Sequence, residues 1–271
     1  MMADTISTPG LSMELIAAAV QKELAFKAKL RPYISDVSAF AEKGLDQISF
    51  PKLTSFTVVD RAAGVAGDAT ALTDTKDTLL LDKNAYVAWI IDSMNQIQTR
   101  IDAQIENATR AASAQGRYVD SQILAVVEAD ATAITTVSVA ITRDVILEMQ
   151  EDLLVANADP DKLSLWIPPA QRSNLLKIAE FTRADAYGSS NIPGGVIGSV
   201  FGVPIVLHNG MNADEYYMVE KDALAIGFQK GLSMDEQGAN EYGVGAKRVA
   251  MDQLFGVKSL QSGLMVKDNN A

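Results

Sequence analysis

The stretch that decides the fold runs from Asn191 to Gly210 and reads "NIPGGVIGSVFGVPIVLHNG". It holds five glycines, two prolines, a run of β-branched residues and His208, the one histidine of the chain. Such a stretch is either a glycine-rich ligand cradle with an imidazole at its edge or a piece of β-structure. Gly194, Gly195 and Gly198 give the spacing GGxxG, whereas a dinucleotide site needs GxGxxG. We therefore predict strands whose glycines serve turns, bulges and close backbone approach.

The other short motifs also fail the tests for catalytic chemistry. "GANEYGVGAK", from Gly238, lacks the Lys-Ser or Lys-Thr of a phosphate loop, and "GSSNI", from Gly188, has Ile192 where a nucleophile elbow needs glycine. With one histidine and no cysteine, a zinc site would need a single imidazole and carboxylates. We predict that His208 ends a strand and makes a local hydrogen bond.

Two acidic pairs are the remaining candidates for acid–base chemistry or cation binding. Asp159 and Asp161 lie in "NADPDK", and Asp235 and Glu236 lie in "SMDEQG". Neither pair has the ligand spacing of a calcium loop. We predict solvated turns at both places, no catalytic, cofactor-binding or metal-ligating residue, no cofactor, and a protein that is not an enzyme.

Composition narrows the possible partners. The formal net charge of -11 disfavours generic binding to DNA phosphates, which depends on clustered Lys and Arg. No run of 18 apolar residues and no signal peptide is visible, so we expect no membrane segment and a cytoplasmic site of synthesis. The absence of cysteine leaves packing and association as the sources of stability.

The N-terminal third combines an arm with a ribbon. Residues 1–10 resemble a tail, and residues 11–31 predict a helix with a local basic cluster, which is either an interaction arm or a solvated face. Between Gln47 and Ser93, two strand-like runs flank about 16 small or polar residues, which predicts a two-stranded ribbon with a mobile tip. Two strands alone are marginal in water, so the ribbon needs another surface to lie on.

A long helix follows the ribbon. Apolar residues spaced by three and four predict a helix over residues 92–115, with Gly116 as a break or kink and possible continuation beyond it. The residues of this stripe are Met94, Ile97, Ile101, Ile105, Ala108 and Ala112.

The rest of the chain alternates helices and strands. "TRDVILEMQEDLLVAN" predicts a helix with Thr142 as its N-cap, and "AQRSNLLKIAE" predicts a second. "KLSLWIPP", "GGVIGSVFG", "VPIVLHN", "EYYMVEKDALAIGF" and "KRVAMDQLFGVKSLQSGLMVKD" predict strands. With few βαβ signals, this mixture indicates the α+β class.

The order of these elements resembles the major capsid proteins of tailed bacteriophages, which have the Hong Kong 97-type fold. "LSLWIPPAQRSNLLKIAEF", followed by "NIPGGVIGSVFGVPIVLHNGM", is similar to the central segment of that family, and "LFGVKSLQSGLMVKD" is similar to its closing strands. By this resemblance we expect an N-terminal arm over 1–46, an extended β-hairpin loop over 47–93, a peripheral domain with its spine helix over 92–136, an axial domain over 137–229 and returning strands of the peripheral domain over 230–271.

The resemblance also implies a function. Copies would assemble through hexamers and pentamers into the icosahedral head that encloses double-stranded DNA, in a virion built in the bacterial cytoplasm. A separate scaffolding protein and a portal protein would be partners, with a decoration protein as an optional one, and DNA would be enclosed without sequence-specific binding. The alternatives are an encapsulin-like nanocompartment and a carboxylate-based hydrolase. Some family members crosslink subunits through a lysine, and Lys76 is the residue to test for this, against the reading of an ordinary exposed lysine.

Overall fold

A computed structural model describes residues 28–41, 44–52, 75–91, 101–134, 140–178, 196–243 and 246–268. Most of the predicted N-terminal helix, the ribbon tip at 53–74 and the start of the predicted long helix at 92–100 lie outside these ranges. The described strands are β1 Ser35–Asp36, β2 Gln47–Lys52, β3 Thr75–Leu80, β4 Lys83–Ile91, β5 Thr132–Ile134, β6 Leu163–Ile167, β7 Val196–Val200, β8 Val203–Leu207, β9 Tyr216–Glu220, β10 Leu224–Gly238, β11 Lys247–Ser259 and β12 Met265–Asp268. The described helices are α1 Ile101–Asp130, α2 Arg143–Val155 and α3 Arg172–Leu175.

A six-stranded mixed sheet forms the larger core, in the order β5-β12-β9-β6-β8-β7. Every residue of the two central strands, β6 and β9, is buried. Their sequences, "LSLWI" and "YYMVE", lack the apolar–polar alternation of a half-exposed strand, as is typical of strands covered on both faces. Two of the six strands, β5 and β12, come from outside residues 137–229.

The long helix α1 contains 30 residues, so it spans about 45 Å. Ala108 and Ala112 of the predicted stripe are fully buried and pack with Met251 of β11. The expected break or kink at Gly116 is wrong, because the helix passes through this residue without interruption to Asp130. A glycine costs a helix only about 1 kcal/mol relative to alanine, and burial of Val119 and the apolar residues that follow outweighs that cost.

A four-stranded sheet packs on α1 in the order β1-β10-β11-β4. The predicted single strand from Thr78 to Ile90 is corrected here, because the chain leaves one sheet and joins another at Leu81 and Asp82. β3 pairs with β2 as a ribbon, whereas β4 pairs antiparallel with β11. The predicted ribbon strand is therefore shorter, and β4 belongs to the body of the subunit.

The sequence correctly predicts the capping residue of α2, but it predicts the extent of two other elements wrongly. The Thr142 hydroxyl accepts a hydrogen bond from the Val145 N–H at 3.5 Å, which confirms it as the N-cap of α2. The second predicted helix is wrong in length, since α3 ends at Leu175. The predicted strand over "EYYMVEKDALAIGF" is divided into β9 and β10 by a 3-10 turn at Lys221–Ala223.

No helix within the described ranges has the length and apolar character needed to cross a bilayer.

Candidate assembly surfaces

The base of the β2–β3 ribbon rests on the subunit's own four-stranded sheet. Gly227 of β10 and Gly256 of β11 are direct cross-strand partners beneath it. A Cβ atom at Gly256 would lie 1.9 Å from the backbone oxygen of Leu80, and one at Gly227 would lie 3.0 Å from Cδ1 of Ile48. We call this pair the glycine notch. It gives the base of the ribbon a surface to lie on within the same subunit.

Polar contacts fix the same base in position. The Lys258 ammonium group forms an ion pair with the Asp77 carboxylate and donates to the backbone oxygen of Thr78 at 3.0 Å. The Gln229 side chain donates to the backbone oxygen of Leu45 at 2.7 Å. Together with the buried side chain of Leu79, these contacts hold the base of the ribbon against the four-stranded sheet.

A buried polar junction joins three distant segments at Asp120, in the middle of α1. This carboxylate is fully buried and accepts the backbone N–H groups of Lys29 at 3.0 Å and Leu30 at 3.3 Å. It also contacts Nε2 of His208 at 3.1 Å. Because Nδ1 of His208 accepts the N–H of Gly210 at 3.0 Å, the imidazole proton lies on Nε2 and points to Asp120.

This junction confirms the prediction that His208 ends a strand and makes a local hydrogen bond. The ring is held by close backbone approach, since a Cβ atom at Gly210 would lie 2.9 Å from Cε1 of His208. Sequence reasoning missed Asp120, which is separated from His208 by 88 positions. The arrangement ties residues 29 and 30 of the N-terminal arm, α1 and the end of β8 to one another.

The acidic pairs take structural roles. Asp159 accepts the N–H of Asp161 at 3.2 Å and caps a short turn, as predicted. Lys162 in that turn donates to Asp222 at 2.7 Å, and this hydrogen bond, with a second from Ser35, holds the pKa of Asp222 below its usual value. The two pairs do not come together into one site, and the described part of the chain has no group of three or more acidic or histidine side chains placed to hold a metal.

The second acidic pair lies in a strand, so its predicted loop is wrong. Asp235 and Glu236 belong to β10, and Glu236 forms an ion pair with Lys247 on β11. Lys76 is an exposed residue of β3 opposite Pro51 in the ribbon. Lys76, the candidate for crosslinking between copies, is therefore exposed to solvent on strand β3 of the ribbon.

Large apolar side chains remain exposed across the described surface. Tyr86 and Ile90 lie on the open face of β4, while Leu154 and Val155 lie at the end of α2. Many exposed apolar residues on one small subunit are typical of surfaces that other chains cover. The full set is Phe40, Leu45, Leu80, Tyr86, Ile90, Tyr118, Leu154, Val155, Leu176, Phe201 and Tyr242.

The two-residue turn between β7 and β8 places one of these side chains in an unfavourable backbone conformation. Phe201 has φ 51° and Gly202 has φ 85°, the pattern of a type I′ turn. Glycine adopts positive φ freely, but a side chain such as that of Phe201 costs roughly 1–2 kcal/mol there. A register shift in β7 between Val196 and Gly198 marks the predicted bulge. The glycines of β7 and β8 within the described ranges thus serve a bulge and a turn.

Solved structures with the same fold come from phage capsids and a related particle. A chain of Mycobacterium phage Che8 is 21% identical, with a TM-score of 0.72, and the match covers 89% of this chain and 90% of that chain. The capsid of cyanophage P-SCSP1u gives 13% identity and a TM-score of 0.70, covering 88% and 87%. A virus-like particle from Pyrococcus furiosus gives 9% identity and a TM-score of 0.65, covering 94% and 98%. These likenesses establish the Hong Kong 97-like fold.

Sequence comparison identifies the family. No curated protein sequence matches the chain significantly. The sequence model of the phage capsid protein family, in contrast, matches residues 17–256, which include the ribbon, α1, the Phe201 turn and all described strands except β12 and the end of β11. The capsid fold and the exposed apolar side chains agree with this match. The chain therefore belongs to the phage capsid protein family.

Proposed function

We propose that this chain is the major capsid protein of a tailed phage and that its copies form the icosahedral shell of the head through hexamers and pentamers. The observation that carries the proposal is a capsid-fold subunit whose exposed apolar residues lie on separate elements, among them β4, α2 and the β7–β8 turn. A single partner would cover one face, whereas a closed lattice of identical copies covers several. The family match supports the same conclusion.

The proposed domain layout follows the sequence. Residues 1–46 form the arm, 47–93 the extended loop, 92–136 the spine-helix segment, 137–229 the axial domain and 230–271 the returning strands. Four strands of the six-stranded sheet, β6 to β9, fall in the axial segment, which supports its placement as one unit. β10 extends across residues 229 and 230, with register shifts between Phe228 and Ser233, so one strand joins the axial and peripheral parts.

The proposed partners follow from the role of a container. A separate scaffolding protein would guide assembly, a portal protein would occupy one vertex, and a decoration protein could add to the outer surface. Double-stranded DNA would be enclosed without sequence-specific contacts, and the net charge of -11 suits a wall that does not hold its contents tightly. The protein would assemble in the bacterial cytoplasm and end in the virion.

We further propose that the chain has no catalytic activity of its own. Asp159, Asp235 and Glu236 are used in a cap, a strand and an ion pair, so the carboxylate-based hydrolase has no assembled site within the described residues. The nanocompartment alternative uses the same fold and is distinguished by contents. The match to the phage capsid family favours a DNA-filled head.

Electron cryomicroscopy of particles purified from cells that produce the chain with its neighbouring genes tests the proposal. We expect closed shells with fivefold and sixfold capsomers, a portal vertex and DNA density inside. Shells that enclose only protein would show that the chain forms a nanocompartment and not a phage head. A monomer at every concentration would overturn the proposal altogether.

A further inference from the structure

Two exposed apolar features of the six-stranded sheet region lie outside the hydrophobic clusters that the described residues form. The first is the ring of Phe201, at the tip of the β7–β8 hairpin. The second is a shallow groove on the outer side of α2, lined by Leu147, Gln150, Glu151, Leu154 and Val155. The inner side of α2 is fully used, since its other apolar side chains are buried in the main core.

Local preferences do not explain Phe201. A type I′ turn favours Asn, Asp or Gly at this position because the backbone φ is positive. The chain has Phe instead, with φ 51° and about a third of its surface exposed. Phe is unfavourable at this position because of the positive φ and because part of its ring is exposed to solvent. Such a residue is expected where function requires it.

The topology prevents the two features from meeting within one copy. β7 is an edge strand, and α2 packs on β12, four strand positions away. With strands about 4.8 Å apart, this separates them by roughly 19 Å. A projecting ring at one edge and an apolar groove near the other form a head-to-tail pair, and such a pair closes into a ring when each copy is rotated relative to the last.

We propose that Phe201 of one copy inserts into the α2 groove of the next copy around each capsomer, between Leu154 and Val155. The occupant of the groove is a second copy of this chain, because the same chain carries a matching apolar group at the opposite edge of the same sheet. This contact rests on the proposed shell function and identifies a specific surface through which it operates. The aromatic ring supplies the buried apolar area, and the rigid two-residue turn presents it with little loss of side-chain freedom.

The absence of cysteine from the chain makes a direct test possible. We would prepare the double variant Phe201→Cys/Val155→Cys, assemble it into particles and oxidise it briefly with diamide. A disulfide requires Cβ atoms about 3.5–4.5 Å apart, so only a close contact reacts. We expect a ladder of linked subunits up to five and six copies on a non-reducing denaturing gel, whereas each single variant gives no ladder.

The control pairs Phe201→Cys with Tyr242→Cys, since Tyr242 is also exposed but lies near the far end of the other sheet. Particles of the first double variant that form normally but give no ladder, or no more than the control, would overturn the inference and leave the shell function intact. Failure of the unaltered chain to form particles would instead overturn the shell function.

A second experiment separates a contact from a folding role. Phe201→Asn suits the turn, and Val155→Asp changes a side chain that is 77% exposed. We expect both unassembled variants to melt within a few degrees of the unaltered subunit or above it, while the concentration needed for assembly rises at least roughly tenfold. Assembly at the unaltered concentration by both variants would overturn the inference.

Discussion

The two sheets of the subunit differ in what covers them. In the six-stranded sheet, all residues of β6 and β9 are buried under elements of the same chain. In the four-stranded sheet, α1 covers one face, and β4 alternates between partly buried and exposed side chains, with Tyr86 52% and Ile90 44% exposed. The central strands of the first region are covered within one copy, whereas β4 of the second leaves apolar surface for other copies.

This difference separates stability from assembly. A central apolar strand contributes through its burial inside the subunit, so substitutions there weaken the fold before any contact between copies forms. An exposed apolar residue contributes little until another chain covers it. Substitutions in the first region should therefore lower the stability of the unassembled subunit, whereas substitutions in the second should reduce assembly.

The largest effect is expected at the centre of the six-stranded sheet. Trp166 is fully buried, and its indole N–H donates to the Ser164 hydroxyl at 3.0 Å. Trp166→Ala should lower the free energy of unfolding of the unassembled subunit by about 3–5 kcal/mol, through lost burial and a cavity. Urea denaturation measures this, with Leu154→Ala as the exposed control. An equal, small loss in both variants would refute the distinction between the two regions.

The next effect is expected at the glycine notch. Gly256→Ala would place a Cβ atom 1.9 Å from the Leu80 backbone oxygen, so the ribbon base must shift. Displacing packed backbone costs about 1–3 kcal/mol, and the shifted ribbon should also block assembly. Gly231→Ala in β10 is the matched control, because its Cβ atom would meet nothing within 4 Å. Thermal melting and particle yield measure the two consequences, and normal values for Gly256→Ala would rule out the notch.

Asp120 joins the two regions, and its substitution should have an intermediate effect. Asp120→Asn retains the shape but turns an amide N–H toward donors, since Lys29, Leu30 and His208 all donate to this carboxylate. Leaving a buried donor without an acceptor costs about 1–3 kcal/mol. Denaturation of this variant beside Asp152→Asn, an exposed position on α2, measures the difference. Equal stability of the two variants would contradict the junction.

Sequence reasoning predicted the elements that local signals define. β6 and β8 are apolar runs limited by prolines or glycines, and Thr142 is a capping residue directly before an apolar repeat, so each was found near its true position. The glycines near Val200 were also correctly assigned to turns and bulges. The family resemblance supplied the architecture that these local signals could not.

Pairings between distant segments could not be predicted. β5 pairs with β12 more than 130 positions later, and nothing in the three residues of β5 indicates that partner. Gly227 and Gly256 form a notch only because β10 and β11 are in a particular register. In the sequence, Asp120 looks like an ordinary exposed acidic residue of a helix. Its burial depends on residues before α1 and on the end of β8, which are distant from it in the sequence.

A smaller, pH-dependent effect is expected at Glu220, the last residue of the central strand β9. Burial raises the pKa of the Glu220 carboxyl group above its usual value. The ionised group therefore weakens the folded state, a penalty that is absent below the ordinary pKa of glutamate and grows as the pH rises through the folded pKa. Glu220→Gln should make the subunit more stable at neutral pH, and the two proteins should converge in acid.

Asp222 provides a control of opposite sign. Its pKa is lowered by hydrogen bonds from Lys162 and Ser35, so its contribution is present above the ordinary pKa of aspartate and disappears as the pH falls through the folded pKa. Asp222→Asn should be slightly less stable at neutral pH and equal in acid. Melting temperatures between pH 3 and 7 test both signs, and the same sign for both variants would contradict the assignment.

The smallest effect on the unassembled subunit is expected on the open face of β4. Tyr86→Ser and Ile90→Ser should each change the free energy of unfolding by no more than about 0.5 kcal/mol, because both side chains are exposed. Particle yield should nevertheless fall, since these residues are available to other copies. A large loss of subunit stability would show that this face is completed within the chain.

Hydrogen exchange in unassembled subunits and in closed shells tests the central claim most directly. We predict that amides of β6 and β9 are equally protected in both states, because these two central strands are covered within one copy. Amides of β4, which pairs on one side with β11, and of the β2–β3 ribbon should exchange at least roughly tenfold more slowly in the shell. Unchanged exchange of β4 and the ribbon between the two states would contradict the account.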